Sequence, residues 1–105
     1  MIVHVTEDTF KDEVLESKVP VLVDFWAGWC GPCRIQGEIL DAFDRDITKE
    51  DAKICKVDVD IERGLVSEYQ IMSIPTMIVF KDGKPVSTQV GVRNESMLRK
   101  LLGIA

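Results

Sequence analysis

Apolar positions along this chain fall into short blocks, and their spacing switches between about two residues and between three and four. The densest block is Val19-Pro20-Val21-Leu22-Val23-Asp24-Phe25-Trp26, rich in β-branched and aromatic residues. It predicts a strand buried on both faces and therefore central in its sheet. Ile2 to Val5 predicts a short first strand. Thr6 or Asp8 can cap a helix from about Thr9 to Ser17, with Phe10, Val14 and Leu15 turned inward. Helical spacing returns from about Cys33 to Asp46 through Ile35, Ile39, Leu40, Phe43 and Ile47, although Gly37 costs that helix roughly 1 kcal/mol relative to alanine. Ala52 to Val59 predicts another strand and Glu62 to Tyr69 a short helix. Thr76 to Lys81 and Pro85 to Val90 pair across Lys81-Asp82-Gly83-Lys84, whose Asp-Gly is a hairpin signal. Glu95 to Leu102 closes the chain as an amphipathic helix.

Alternating strands and helices in the first half imply parallel crossovers, and the hairpin near the end is antiparallel. The predicted fold is α/β, a mixed central sheet of about five strands with helices on both faces. The absence of linkers, repeats and low-complexity stretches makes residues 1–105 a single expected domain. A chain of this size can bury a core without disulfides or metals to hold it. With 13 basic and 18 acidic residues the formal charge is −5, which argues against nucleic acid or an anionic membrane surface as partner. Met1 to Asp8 lacks the basic region and apolar stretch of a secretory signal, so a cytoplasmic address is the default expectation. The longest mostly apolar run, Ile71 to Phe80, is too short to span a bilayer.

Against that background, Trp29-Cys30-Gly31-Pro32-Cys33 is the most chemically specific segment. Two cysteines separated by two residues, where a strand hands over to a helix, can share one helical turn and exchange a bond. In a reducing compartment such a pair points to catalysis or to metal binding rather than to a structural framework. A Cys₃His metal set from Cys30, Cys33, Cys55 and His4 is disfavoured, because no second close ligand pair exists and His4 lies on the first strand. Neither a metal nor another cofactor is expected. A scaffold whose thiols are incidental is the other alternative, and its binding would survive serine at both cysteines.

The thiolate, not the thiol, attacks a disulfide. Cys30 stands just before a helix, where unpaired N–H groups and the positive end of the dipole stabilise an anion. Pro32 preforms the first turn without adding a donor, and Gly31 keeps the approach to the sulfur open. Asp24 interrupts a run that should be apolar. Desolvation there should raise its pKa, making it a candidate to accept the proton of Cys33, with Lys56 as the compensating cation.

The stretch Val23-Asp24-Phe25-Trp26-Ala27-Gly28-Trp29-Cys30-Gly31-Pro32-Cys33 resembles the active-site segment of the thioredoxin family. The similarity continues through Lys56-Val57-Asp58-Val59-Asp60, Ile74-Pro75-Thr76, Phe80-Lys81-Asp82-Gly83 and Val90-Gly91, with the spacing kept throughout. The resemblance implies a thioredoxin fold and a general protein-disulfide reductase, acting on disulfide-containing client proteins and re-reduced by a thioredoxin reductase. By position it makes Cys30 the attacking thiol, Cys33 the resolving thiol that closes a Cys30–Cys33 disulfide, Asp24 the proton acceptor with Lys56 beside it, and Gly31 and Pro32 the spacer that tunes the potential. It also makes Pro75 a cis proline. Trp29, Ile74, Pro75, Gly91 and Val92 become the substrate-binding patch, in which backbone groups of Ile74 pair with the client chain. A monomer is expected.

If the pKa of Cys30 falls from about 8.5 to about 7, the value known for thioredoxin itself, the thiolate fraction at pH 7 rises from ~3% to ~50%. A Brønsted slope near 0.5 takes back about fivefold of that, leaving a net gain of only about threefold. The larger rate lever is therefore intramolecular attack by Cys33.

The chain departs from the family pattern at three places. Gly37-Glu38 stands where many thioredoxins carry a helix-kinking proline, so a bend there would rest on glycine alone. Ser73 stands where glycine is common, and Cys55 is an additional cysteine expected to pack inertly in a strand.

Overall fold

The computed structural model describes residues Met1 to Ala105. Five strands form one sheet in the order β1-β3-β2-β4-β5: β1 (Val3–His4), β2 (Val21–Trp26), β3 (Lys53–Asp58), β4 (Thr76–Lys81) and β5 (Lys84–Val90). β1, β3 and β2 run parallel, whereas β4 pairs antiparallel with both β2 and β5. Helices α1 (Gly31–Asp46), α2 (Arg63–Glu68) and α3 (Glu95–Leu102) complete the chain, with one π-helical turn at Lys11–Leu15. The predicted α/β class, the mixed five-stranded sheet and the central place of β2 all agree with this arrangement.

β2 shows why the sheet is covered twice. Val21, Val23 and Phe25 point into a core with Phe10, Val14, Val57, Leu65 and Phe80, beside the π-turn and α2. Leu22 points the other way, into a second core with Leu40, Phe43, Ile54, Met77 and Leu98, under α1 and α3. Strand residues alternate sides, so a strand with no exposed side must be apolar at successive positions. Each fully buried side chain of this size stabilises the fold by roughly 1.5–3 kcal/mol. Asp24 shares its face with Leu22 and is the one charged residue of the strand.

Several boundaries differ from expectation for local reasons. The Thr9 to Ser17 segment is a π-turn, closed by Glu16 N–H donating to the Lys11 carbonyl at 2.9 Å. Thr6, not Asp8, serves its start: Thr6 Oγ1 accepts from Thr9 N–H at 3.3 Å. β1 is shorter than Ile2 to Val5: Val3 and His4 pair in register with Cys55 and Lys56, and Val5 adds only a single N–H donated to the Lys56 carbonyl at 2.9 Å. α1 starts at Gly31, two residues before the expected Cys33, since Pro32 in the first turn needs no hydrogen-bond acceptor. Its buried stripe is Cys33, Gln36, Leu40 and Phe43. Ile35, expected inward, is 55% exposed, because starting the stripe at Cys33 turns position 35 toward solvent. α1 runs unbroken through Gly37 and Glu38.

α3 has the expected bounds, with Asn94 Oδ1 accepting from Met97 N–H at 3.0 Å and Gly103 at φ 70° ending it. The hairpin turn puts Asp82 at φ 52° and Gly83 at φ 78°, the left-handed pair that lets two residues join twisted strands. A Cβ on Gly83 would also stand 2.8 Å from the Leu15 carbonyl oxygen. Gly83→Ala is therefore expected to destabilise the protein by about 2 kcal/mol, read as a lower urea midpoint with an unchanged slope. An unshifted midpoint would contradict this account of the turn.

Candidate active site

The carboxyl end of β2 delivers the chain to a short loop, and Cys30 follows as the N-cap of α1 with extended backbone, φ −93° and ψ 113°. Cys30 and Cys33 are joined as a disulfide, their Cα atoms 5.2 Å apart. One turn of helix brings the two sulfurs together, as the spacing predicted. The Cys33 backbone N–H donates to Cys30 Sγ at 3.2 Å, so the sulfur occupies the place a serine or aspartate oxygen takes in an ordinary cap. The same N–H and the helix dipole would face a thiolate when the bond is open. Pro32 and Gly31 are exposed on the outer side of this turn. A Cβ added at Gly31 would meet nothing within 4 Å, so glycine is not required there by crowding within the fold.

Both sulfurs are nearly covered, and the cover comes from distant segments. The Ile74–Pro75 bond is cis, as the resemblance implied, and the Ile74 carbonyl oxygen lies 3.9 Å from Cys30 Sγ. In the disulfide that sulfur carries no proton, so this is packing contact rather than a hydrogen bond. Gly91, at φ 93°, donates its N–H to the Pro75 carbonyl at 2.8 Å, which sets the Gly91-Val92 backbone beside the proline. Trp29 is 70% exposed, with Nε1 donating to Asp60 Oδ2 at 2.9 Å. Its ring edges an open groove of about 460 Å³, also lined by Val66, Ile71, Met72 and Ile74. Met72, 93% exposed on that groove, was not singled out from the sequence. The signal available was that an apolar run from Ile71 to Phe80 longer than its strand must leave some residue outside.

Asp24 is wholly buried, and neither of its carboxylate oxygens has a hydrogen-bond partner. In the parallel β2–β3 ladder Asp24 pairs in register with Lys56, which puts both side chains on one face. Lys56 Nζ is 3.7 Å from Asp24 Oδ2, an ion pair too long for a good hydrogen bond. It also sits 4.9 Å from the centre of the Trp26 ring. Burial raises the Asp24 pKa to about 6, with the Lys56 charge acting against that rise. With no exposed surface, Asp24 does not face solvent. Gly37 leaves the room Lys56 uses: a Cβ there would be 3.3 Å from Nζ.

The remaining candidates lie apart. Cys55 is a free, fully buried thiol, and burial pushes its pKa up to about 12, so it keeps its proton at neutral pH. His4 packs edge-on against Trp26. A buried residue that the sequence reading passed over is Gln36, whose amide is bonded to the backbone of Arg93. A polar residue in the inward stripe of α1 was the available signal.

The thioredoxin family model matches residues 1–103. The chain is 47% identical to Thioredoxin 1 of Synechococcus elongatus, covering 93% of this chain and 91% of that one. It is 44% identical to a thioredoxin of Rickettsia felis, with 90% of each chain covered. Identity to the thioredoxin of Pseudomonas aeruginosa is 41%, over 96% of this chain and 93% of the other.

Proposed function

Because the chain belongs to the thioredoxin family, we propose that it works as a general protein-disulfide reductase in which Cys30 attacks and Cys33 resolves. Family membership and the Cys30–Cys33 bond make it a thiol–disulfide oxidoreductase. The direction of electron flow and the residue roles are our reading of the site.

The cycle balances on two sulfurs. A Cys30 thiolate attacks one sulfur of a client disulfide; a Cys30–client bond forms, the client S–S bond breaks, and the departing client thiolate takes up a proton. Cys33 then gives its proton to Asp24 and attacks Cys30 Sγ. That closes Cys30–Cys33 and releases the second client thiolate, so two electrons have passed from the protein to the client. A thioredoxin reductase returns the dithiol form. Cys33 is held one turn away, and its attack is intramolecular, with effective molarities of roughly 10⁵ M open to well-placed groups. The observation that carries this reading is the disulfide at the N-terminus of α1, where a backbone N–H donates to the Cys30 sulfur.

Asp24 suits the role of acceptor because a carboxylate with a pKa of about 6, lacking hydrogen bonds of its own, is poised to take a proton near neutrality. Lys56 offsets the charge of the ionised carboxylate before it takes the proton. Trp29, Ile74, Pro75, Gly91 and Val92 form the docking face, where backbone groups at Ile74 pair with an extended client segment. Such pairing reads no side chains and suits many clients. Gly31 and Pro32 tune the potential. We take residues 1–105 to act as one unit, a monomer in the cytoplasm, without a metal or other cofactor.

Equilibration with glutathione, followed by coupled reduction of insulin, tests the direction. A potential near −270 mV, a reference value for thioredoxin rather than a consequence of this geometry, is expected. One near −120 mV would mark an oxidant and overturn the reading.

A further inference from the structure

The inward stripe of α1 continues past the cysteines into a residue that the sulfur chemistry does not explain. Gln36 has no exposed surface and lies between Cys33 and Leu40 on the buried face of the helix. A primary amide in that setting is costly unless both its ends are paired. Both are paired, and with one residue: Arg93 N–H donates to Gln36 Oε1 at 2.7 Å, and Gln36 Nε2 donates to the Arg93 carbonyl at 3.0 Å. The amide thus satisfies a backbone unit from far along the chain as a neighbouring strand would.

That backbone needs such a partner. β5 ends at Val90 and α3 begins at Glu95, and neither Val92 nor Arg93 makes a backbone-to-backbone hydrogen bond. The segment is held at one end by Gly91 N–H on the Pro75 carbonyl and at the other by the Asn94 cap. The Arg93 side chain bonds only nearby, to Gln89 and to the Val92 carbonyl. Gln36 is the attachment of its middle to the rest of the fold.

We propose that Gln36 is a positioning residue for client docking: it fixes the Gly91-Val92-Arg93 backbone from the same helix that carries Cys33. The inference rests on the assignment of Gly91 and Val92 to the docking face. Without the amide the segment samples other shapes, and apparent client affinity falls in proportion to the docking-competent fraction. Exchange at the sulfurs is arranged by the start of α1 and does not depend on this segment, so a small disulfide that needs no docking face is insensitive to it.

Gln36→Met, which keeps length and removes both hydrogen bonds, tests this. For insulin, KM is expected to rise about three- to tenfold while kcat stays within about twofold. Reduction of 5,5′-dithiobis(2-nitrobenzoate) should change less than about twofold. In the unaltered protein the Arg93 amide should exchange with solvent at least about a hundredfold more slowly than that of Val92, a measurement independent of whether the variant folds. An unchanged insulin KM, an equal loss with both substrates, or an unprotected Arg93 amide would overturn the proposal. If the unaltered protein fails to reduce insulin, the reductase reading falls and this falls with it. If Val92→Glu raises the insulin KM and Gln36→Met does not, the docking face stands and only the role of Gln36 is lost.

Discussion

Cys33→Ser is expected to turn this protein from a catalyst into a trap. Cys30 keeps its place at the N-cap of α1, so the first exchange with a client disulfide proceeds and a Cys30–client bond forms. The resolving thiol is missing. Release must then wait for a thiol from solution at about 1 mM, against an intramolecular competitor whose effective molarity can reach roughly 10⁵ M. Even if imperfect alignment removes four orders of magnitude from that ratio, turnover should fall by about 10⁴-fold or more. The adduct should accumulate on a non-reducing gel and disappear with dithiothreitol. Cys30→Ser should abolish turnover equally and give no adduct, because Cys30 is the sulfur at the helix N-cap, facing the Cys33 N–H and the positive end of the dipole that stabilise an attacking thiolate. Adducts that form equally well in either variant would reverse or erase the assignment of roles. Client binding that persists unchanged with serine at both positions would instead support a scaffold.

Asp24→Asn is expected to stabilise the folded protein while slowing one chemical step. The sign follows from proton binding. Asp24 has a folded pKa of about 6 against an ordinary value of 3.8. Between those values the folded state holds a proton that the unfolded state has released, so stability declines as pH rises from about 4 to about 6 and stays lowered above. A rise of about two pKa units corresponds to roughly 3 kcal/mol, some of which asparagine would not recover, since Lys56 then loses its counter-charge. The gain in urea unfolding should be about 2 kcal/mol at pH 8 and near zero at pH 4. Equal gains at both pH values would mean that the buried charge is not the cause. Kinetically, only the ionised carboxylate can accept a proton, so in the unaltered protein resolution by Cys33 should slow about tenfold per pH unit below about 6. In the variant, resolution should slow more than the initial attack. Equal slowing of both steps would remove Asp24 from the proton transfer.

A residue that costs stability at the pH where the protein works is informative about function. Two orphaned carboxylate oxygens inside a sheet contribute nothing to packing that leucine would not do better. They raise a pKa toward neutrality, which is the property the proposed step requires. Gln36 is the contrasting case: buried polarity with every hydrogen bond made, which orders a segment rather than moving a proton.

Much of this molecule was readable along the chain because the relevant physics is local. The near-continuous apolar run from Val21 to Trp26 marked a doubly covered strand, Asp-Gly marked the left-handed turn, and the cysteine spacing set two sulfurs on one turn of helix. Side-chain period and turn chemistry depend on neighbours within a few residues, so they survive without knowledge of the rest. Contacts between distant segments were reached from the chain only through the family resemblance, and their geometry needed the folded structure. Register between β2 and β3 sets Lys56 beside Asp24, the cis Ile74–Pro75 segment lies on Cys30, and the inward turn of α1 carries Gln36 to Arg93 while leaving Ile35 outside. Those outcomes depend on which surfaces meet when the layers pack, and no window of local sequence contains both halves of such a contact.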